Sequence, residues 1–145
     1  MGKLDGKVAI VTGGSRGIGE MIAAGYLANG AKVYISSRKA DVCDATAKRL
    51  GEQFGGECIS LPADMSNLAG IEAFAEEFKT RENHLDILVN NAGVAWGAPL
   101  EDFPEMGWDK VMDTNVKGVF FLTQKLLPLL ENKASHTTPT HVINV

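Results

Sequence analysis

Cysteine and long apolar runs are both scarce in this chain. The two cysteines among the 145 residues, Cys43 and Cys58, belong to no CxxC pair and no histidine-rich cluster. They therefore indicate reduced thiols and neither a disulfide framework nor a metal site. Gln124 and Lys125 interrupt the longest apolar candidate well before the ~18 residues of a membrane span. Residues 1–7 carry charges and no apolar secretory core, so we expect a cytoplasmic protein with no membrane partner.

Positive charge is also in short supply. Lys and Arg number 14 against 18 Asp and Glu, which gives a net charge of -4 at pH 7. Such a balance offers no basic surface for nucleic acid or anionic lipid. The length and the apolar fraction of 45% suit a single globular domain over residues 1–145.

Short apolar runs alternate with helical periodicity along the whole chain. This alternation predicts an α/β fold with a doubly wound parallel sheet, covered by helices on both faces and cut off in its fifth strand. The predicted strands are 7–12, 32–37, 57–61, 86–90 and 141–145.

Three helices with an apolar face are predicted from spacings of three and four residues. We expect the long third helix, from about Trp108 to Glu131, to be kinked or shortened by Pro128. The residues expected to face the core are Ile18, Met21, Ile22 and Tyr26 in the first helix, Leu68, Ile71, Phe74, Ala75 and Phe78 in the second, and Met112, Val116, Val119, Phe120 and Leu127 in the third.

The run Thr12-Gly-Gly-Ser-Arg-Gly-Ile-Gly19 lies directly between the first strand and the first helix. Glycine permits a sharp turn and close approach of the backbone to a pyrophosphate, and a helix N-terminus points free N–H groups at that charge. A glycine-rich turn alone could be only a tight turn. In this strand-turn-helix context it predicts a dinucleotide phosphate site.

Further motifs follow in order: Asp64 after the third strand, Asn90-Asn91-Ala92-Gly93 after the fourth, and Asn115 inside the next helix. Together with the glycine-rich run they resemble the short-chain dehydrogenase/reductase family over essentially the whole chain. The segments around these motifs, including residues 88–97 and 126–130, are most similar to the 3-oxoacyl-acyl-carrier-protein reductases of the rhamnolipid type. The resemblance implies a Rossmann-like fold and carbonyl reduction by hydride transfer.

The cofactor is predicted from the end of the second strand. An NAD-binding fold places Asp or Glu there to accept hydrogen bonds from the ribose 2′-OH. This chain has Ser37 and Arg38 instead, and Arg16 in the turn adds a second positive charge. A guanidinium binds a 2′-phosphate that an acid would repel, so we predict NADP(H). Without that role, Arg38 and Lys39 would be a solvated helix start.

The resemblance implies a set of cofactor-binding residues and one catalytic residue, Asn115, which would hold a water in a proton relay. Taken alone, Asp64 could be a turn or capping residue and Asn115 a locally bonded one. The predicted cofactor-binding residues are Gly13, Ser15, Arg16, Gly17, Ile18, Gly19, Ser37, Arg38, Asp64, Met65, Asn91, Ala92 and Gly93.

The family's Ser, Tyr and Lys catalytic residues are not found in residues 1–145. Tyr26 and Tyr34 are the two tyrosines, and neither has Lys four residues later. Two hypotheses follow: the cofactor-binding half of a reductase acting on a small carbonyl or alcohol substrate, or a dinucleotide-binding module without turnover. A Rossmann-like methyltransferase is disfavoured, because it would have an acid where Ser37 and Arg38 stand. The resemblance also implies a homo-oligomer when the full-length chain is present.

Overall fold

Five parallel strands form one sheet in the order β3-β2-β1-β4-β5. The computed structural model describes residues 2–145. The strands are β1 Val8–Thr12, β2 Lys32–Ser36, β3 Cys58–Ser60, β4 Ile87–Asn90 and β5 His141–Asn144. This parallel α/β sheet confirms the predicted fold class, and all five strands lie within the ranges predicted from sequence.

Helices connect the strands and cover the sheet on both sides. The α-helices are α1 Gly17–Ala28, α2 Ala40–Phe54, α3 Leu68–Arg81, α4 Glu105–Met112 and α5 Gly118–Asn132. A 3-10 turn at Leu100–Asp102 precedes α4, and a π-turn at Asp113–Lys117 joins α4 to α5. The predicted long helix is therefore α4, the π-turn and α5 in succession. Pro128 lies inside α5 without ending it.

Two apolar clusters, one on each face of the sheet, form the core. On one face Ile10, Tyr34 and Leu88 pack with side chains of α3 and α5, including Phe78 and Leu126. On the other face Val11, Ile35 and Val89 pack with side chains of α1 and α2. Successive strand residues point to opposite faces, so both clusters draw on the same strands. This explains why β1 and β4 read as continuous apolar runs.

The core-facing side of α3 was predicted correctly, that of α1 was correct in part, and that of α5 was largely wrong. Ile71, Phe74, Ala75 and Phe78 of α3 are buried, whereas Leu68 is exposed. In α1 the fully buried residues are Gly19, Ala23 and Leu27. Ile22 and Tyr26 pack against the core as predicted, whereas Ile18 and Met21 are exposed. In α5 the buried residues are Gly118, Leu122, Leu126, Leu129 and Leu130, while Val116 before it and Phe120 and Leu127 within it are exposed.

The errors in the two helices have different physical causes. Small residues let α1 approach the sheet closely at the glycine-rich turn, so the contacting face is the small one. Apolar residues surround most of α5, and periodicity cannot then select one face. None of the helices in residues 2–145 combines the length and the apolar character that a membrane crossing requires.

Candidate functional site

The site lies where the strand order reverses, between β1 and β4. Ligands of open parallel sheets bind at such a point, beyond the carboxyl ends of the strands, because the loops there diverge. A cleft of about 410 Å³ occupies this position. It is lined by Gly13, Ser15, Arg16, Gly17, Ile18, Ser36, Ser37, Arg38, Ala63, Asp64, Met65, Ser66, Asn91, Ala92, Gly93, Val94 and Thr114.

The glycine-rich turn forms one wall of this cleft. Gly13 and Gly17 have φ angles of 64° and 59°, a conformation that side chains other than glycine rarely adopt. A Cβ on Gly17 would meet nothing within 4 Å, so its backbone is open to the cleft. The N–H groups of 17–19 begin α1 and donate no hydrogen bond to another residue within 2–145. Free donors and an open backbone make this wall suitable for an anion.

Gly19 acts differently, because it sets how closely α1 approaches β4. A Cβ there would collide with the carbonyl oxygen of Gly13 and would lie 2.5 Å from Nδ2 of Asn91. The Asn91 amide in turn donates to the Gly13 carbonyl at 3.2 Å. Gly19 therefore lies beneath the turn and not on the cleft surface.

A single threonine ties the ends of β1 and β4 together. The Thr12 hydroxyl accepts hydrogen bonds from the N–H groups of Asn91 at 3.0 Å and Ala92 at 2.9 Å, and donates to the Val89 carbonyl at 3.3 Å. Asn90 continues the connection outwards, since its amide donates to Asn144 on β5 at 2.9 Å. The segment 90–93 is thereby held in a fixed position beside the glycine-rich turn.

The end of β2 supplies positive charge and hydroxyl groups to the opposite wall. Ser37 and Arg38 line the cleft there, and Arg16 lines it from the turn. Within residues 2–145 neither arginine forms a salt bridge. The end of β2 thus presents a guanidinium group without a salt bridge, and no carboxylate of its own, to the cleft.

Asp64 is the acid of the site. The Ser66 hydroxyl donates to its Oδ1 at 2.6 Å and the Ser66 N–H at 2.9 Å. These hydrogen bonds, with a smaller contribution from the positive charge of Arg38, lower the pKa of Asp64 despite its partial burial. At neutral pH the group is a carboxylate that can accept hydrogen bonds.

Asn115 lies next to the cleft and not inside it. Its side chain accepts from the Val94 N–H and donates to the Val94 carbonyl, both at 2.9 Å. It sits in the π-turn, where the helix widens. With Gly93 it lines a neighbouring apolar cavity of about 670 Å³ between α5 and β5.

The structure brings together every predicted cofactor-binding residue except Gly19 around one cleft. Sequence reasoning missed Thr12, Ser36, Thr46 and Ser66 as site residues. The Thr46 hydroxyl donates to the Ser15 carbonyl at 2.9 Å, which fastens α2 to the turn. These roles depend on contacts between distant segments, and only the Asp-Met-Ser-Asn run after β3 gave a signal in the sequence.

Both tyrosines lie away from the cleft. Tyr34 is buried in the core, and its hydroxyl donates to Glu82 at 2.6 Å. Tyr26 is on α1 and packs against the cluster of the other face. Burial raises the pKa of both phenols. Neither tyrosine is placed to exchange a proton with a molecule in the cleft.

Comparison with known proteins gives the family. The family model described as short chain dehydrogenase matches residues 7–145. A 3-oxoacyl-[acyl-carrier-protein] reductase of rhamnolipid biosynthesis from Pseudomonas aeruginosa is 51% identical over 142 residues, which is 98% of this chain and 55% of that protein. The chain therefore belongs to the short-chain dehydrogenase family, as its motifs predicted.

Solved structures agree in fold and differ in cofactor. The Pseudomonas aeruginosa RhlG/NADP active-site complex matches with a TM-score of 0.92 at 52% identity, over 97% of this chain and 54% of that one. A 7α-hydroxysteroid dehydrogenase complexed with NADH and 7-oxo glycochenodeoxycholic acid matches with a TM-score of 0.88 at 30% identity, over 98% and 53%. The chain spans about half the length of these relatives, and the shared fold does not by itself select a cofactor.

Proposed function

We propose that this chain is the NADP(H)-binding half of an oxidoreductase that reduces a carbonyl to an alcohol by hydride transfer. The observation that carries the proposal is the wall at the end of β2, where Ser37 and Arg38 stand in place of an acid and Arg16 faces the same cleft. A 2′-phosphate is the group that distinguishes NADP from NAD, and guanidinium groups bind it through charge-assisted hydrogen bonds.

The residues present fit a dinucleotide. The free N–H groups at the start of α1 and the open backbone of Gly17 would hold the pyrophosphate. The Asp64 carboxylate would accept from the adenine amino group, with the Met65 backbone beside it. Asn91, Ala92 and Gly93 would line the remainder, held in place by Thr12.

The chemistry that the bound cofactor supplies is a hydride. The chain's own contribution, besides binding, is to position the segment after β4: Asn115 fixes both backbone groups of Val94 at 2.9 Å. Its place in the π-turn is consistent with the predicted role of holding a water for proton transfer. The proposed substrate is a small carbonyl compound such as a 3-oxoacyl thioester, which the name of the Pseudomonas relative supports.

The cofactor assignment is tested by Arg38→Asp. Titration of the protein with NADPH and NADH, followed by nicotinamide fluorescence, should show tighter binding of NADPH by the native protein. Arg38→Asp should weaken NADPH binding by about 10-fold to 100-fold, the effect of losing a hydrogen bond to a charged group. NADH binding should be unchanged or improved.

Lys39→Asp is the matched control, because it makes the same change of charge one residue further on, outside the cleft. It should leave the NADPH dissociation constant within about twofold, since exposed charges contribute little. Equal NADPH binding by native protein and Arg38→Asp would contradict the proposal.

A second candidate function is a dinucleotide-binding module without turnover. The positions of Tyr26 and Tyr34 favour it for residues 1–145, because no tyrosine of the described part of the chain lies in the cleft. The same polypeptide should then bind NADPH and fail to oxidise it with a 3-oxoacyl thioester. Steady oxidation by these 145 residues would contradict the module.

We also propose that the full-length protein associates with copies of itself. Phe120 and Leu127 expose 62% and 45% of their surface on α5, next to the exposed Val116. Apolar surface of this kind is more often covered than left in water. Light scattering should report a particle larger than the monomer, and a monodisperse monomer of the full-length protein would contradict association.

A further inference from the structure

Among residues 2–145, one buried hydroxyl group of the cleft has no hydrogen-bond partner. Ser36, the last residue of β2, is 1% exposed, and its Oγ makes no hydrogen bond within residues 2–145. A buried polar atom normally has a partner, because leaving it without one costs about 1–3 kcal/mol. Ser36 also lines the cleft, so its hydroxyl lies directly beneath the cleft surface.

The direction of the Ser36 side chain follows from the alternation along β2. Tyr34 points into the cluster that contains Leu61 and Met65, whereas Val33 and Ile35 point into the cluster of the opposite face. Two residues after Tyr34, Ser36 is on the Met65 side.

The backbone places the same wall beside Asp64. The N–H of Ala63 donates to the Ser37 carbonyl at 3.1 Å, and the N–H of Leu61 donates to the Ile35 carbonyl at 2.9 Å. The segment leading to Asp64 is therefore paired with the end of β2 on both sides of Ser36. Ser36 is next to the proposed adenine contact, and the free N–H groups of α1 form a different wall.

We infer that the Ser36 hydroxyl is a binding residue for the adenine base, hydrogen bonded to an edge of the purine beside Asp64. The inference rests on the proposed function, since it requires a dinucleotide in this cleft. Ser36 would bind the adenine base, whereas its neighbours Ser37 and Arg38 would bind the 2′-phosphate.

Ser36→Ala tests the assignment, and Ser60→Ala is its matched control. The Oγ of Ser60 is likewise buried and has no hydrogen-bond partner in the described part of the chain, but Ser60 does not line the cleft. Binding of NADPH and of adenosine 2′,5′-bisphosphate is measured by isothermal titration. Ser36→Ala should weaken both ligands by about fivefold, the effect of one hydrogen bond of about 1 kcal/mol. Ser60→Ala should leave both dissociation constants unchanged.

Thermal unfolding supplies a readout that a merely structural role would not give. Because each alanine removes a buried hydroxyl without a partner, the Tm of either free variant should be equal to or above that of the native protein. The increase in Tm on adding NADPH should shrink in Ser36→Ala alone. If Ser36→Ala does not fold, Ser36→Cys, similar in size and a weaker hydrogen-bonding group, gives the same comparison.

The outcomes separate the inference from the proposed function. Native protein that binds neither ligand would contradict the proposed function itself. Native binding with an unchanged dissociation constant in Ser36→Ala would overturn only the inference, as would an equal loss in Ser60→Ala. A loss for NADPH without a loss for the bisphosphate would also overturn it. A Ser36→Ala effect that disappears at high salt would overturn it too and assign the hydroxyl to a phosphate, because salt screens contacts with charge.

Discussion

Polar side chains are hydrogen bonded to one another at the amino end of strand β2 and, in the part of the chain that the structure describes, lack such partners at its carboxyl end. At the amino end Lys32 donates to Glu82 at 2.7 Å, and the Tyr34 hydroxyl donates to the same carboxylate at 2.6 Å. At the carboxyl end the Ser36 hydroxyl has no partner and Arg38 forms no salt bridge within residues 2–145. The paired end stabilises the fold, and the unpaired end leaves hydrogen-bonding capacity for a ligand.

The largest effect should come from Gly19→Ala, at the cleft end. The new methyl group would collide with the Gly13 carbonyl and the Asn91 amide, and overpacking of this kind costs about 1–3 kcal/mol. NADPH binding should fall below detection, because the turn must move away from the helix. Fluorescence titration and urea unfolding measure the two effects.

Gly25→Ala in the same helix is the control. A Cβ there would meet nothing within 4 Å, so helix propensity should raise the free energy of unfolding by about 0.5–1 kcal/mol and leave binding unchanged. Normal NADPH binding by Gly19→Ala would show that the close approach of α1 is not needed for the site.

An intermediate effect, on stability alone, is expected from Glu82→Gln at the paired end. The Glu82 side chain is largely buried, with 10% of its surface exposed. The variant should lower the free energy of unfolding at pH 7 by about 1–3 kcal/mol, because a charged hydrogen-bond acceptor is lost. NADPH binding should not change, since Glu82 is outside the cleft.

The pH dependence of this effect has a definite sign. Burial alone would raise the pKa of Glu82, but hydrogen bonds from Lys32 and Tyr34 outweigh it and lower the pKa. A carboxyl group with a lowered pKa stabilises the fold at every pH above its unfolded-state pKa. This stabilisation is lost as the pH falls through its folded-state pKa. The hydrogen bond to Glu82 raises the pKa of Lys32. The contribution of Lys32 to stability is therefore fully present at pH values below its ordinary pKa, and it is lost as the pH rises through the raised pKa.

Urea unfolding of Glu82→Gln and native protein between pH 2 and pH 8 checks the carboxyl part. The difference between them should be constant near neutrality and should shrink in acid. A difference that grows as pH falls would contradict a lowered pKa for Glu82. Glu76→Gln, an exposed helical carboxylate 3.6 Å from Lys79, is the control and should change stability by less than about 0.5 kcal/mol.

The smallest effect is expected from Glu57→Gln. Glu57 also pairs with Lys32, but at 3.7 Å and with 73% of its side chain exposed. The free energy of unfolding should change by less than about 0.5 kcal/mol, because exposed ion pairs are screened by solvent. A loss equal to that of Glu82→Gln would show that proximity to Lys32, and not burial, determines the contribution.

The sequence predicts the strands and the cleft well because both depend on local patterns. Apolar runs such as 8–11 specify buried strands, and the glycine-rich turn and Asp64 follow strand ends directly. Parallel strands bring those ends to one edge of the sheet, so the predicted residues meet without further information.

Contacts between distant segments could not be predicted. The role of Thr12 depends on two N–H groups 79 and 80 residues away, and the orphaned hydroxyl of Ser36 is visible only once its surroundings are known. The exposed side of α5 was also unpredictable, since leucine and phenylalanine occur around most of that helix. Its packing against α3 selects the buried side.

Gly118, the first residue of α5, brings this helix into close contact with the loop that lines the cleft after β3. A Cβ at this position would collide with the Met65 carbonyl, so the helix and the loop after β3 touch backbone to backbone. Met65 lines the polar cleft, and Val119, the residue after Gly118, lines the apolar cavity between α5 and β5. Because Gly118 has no Cβ, α5 can approach the loop after β3 this closely, and that approach sets the spacing between the cleft and the cavity.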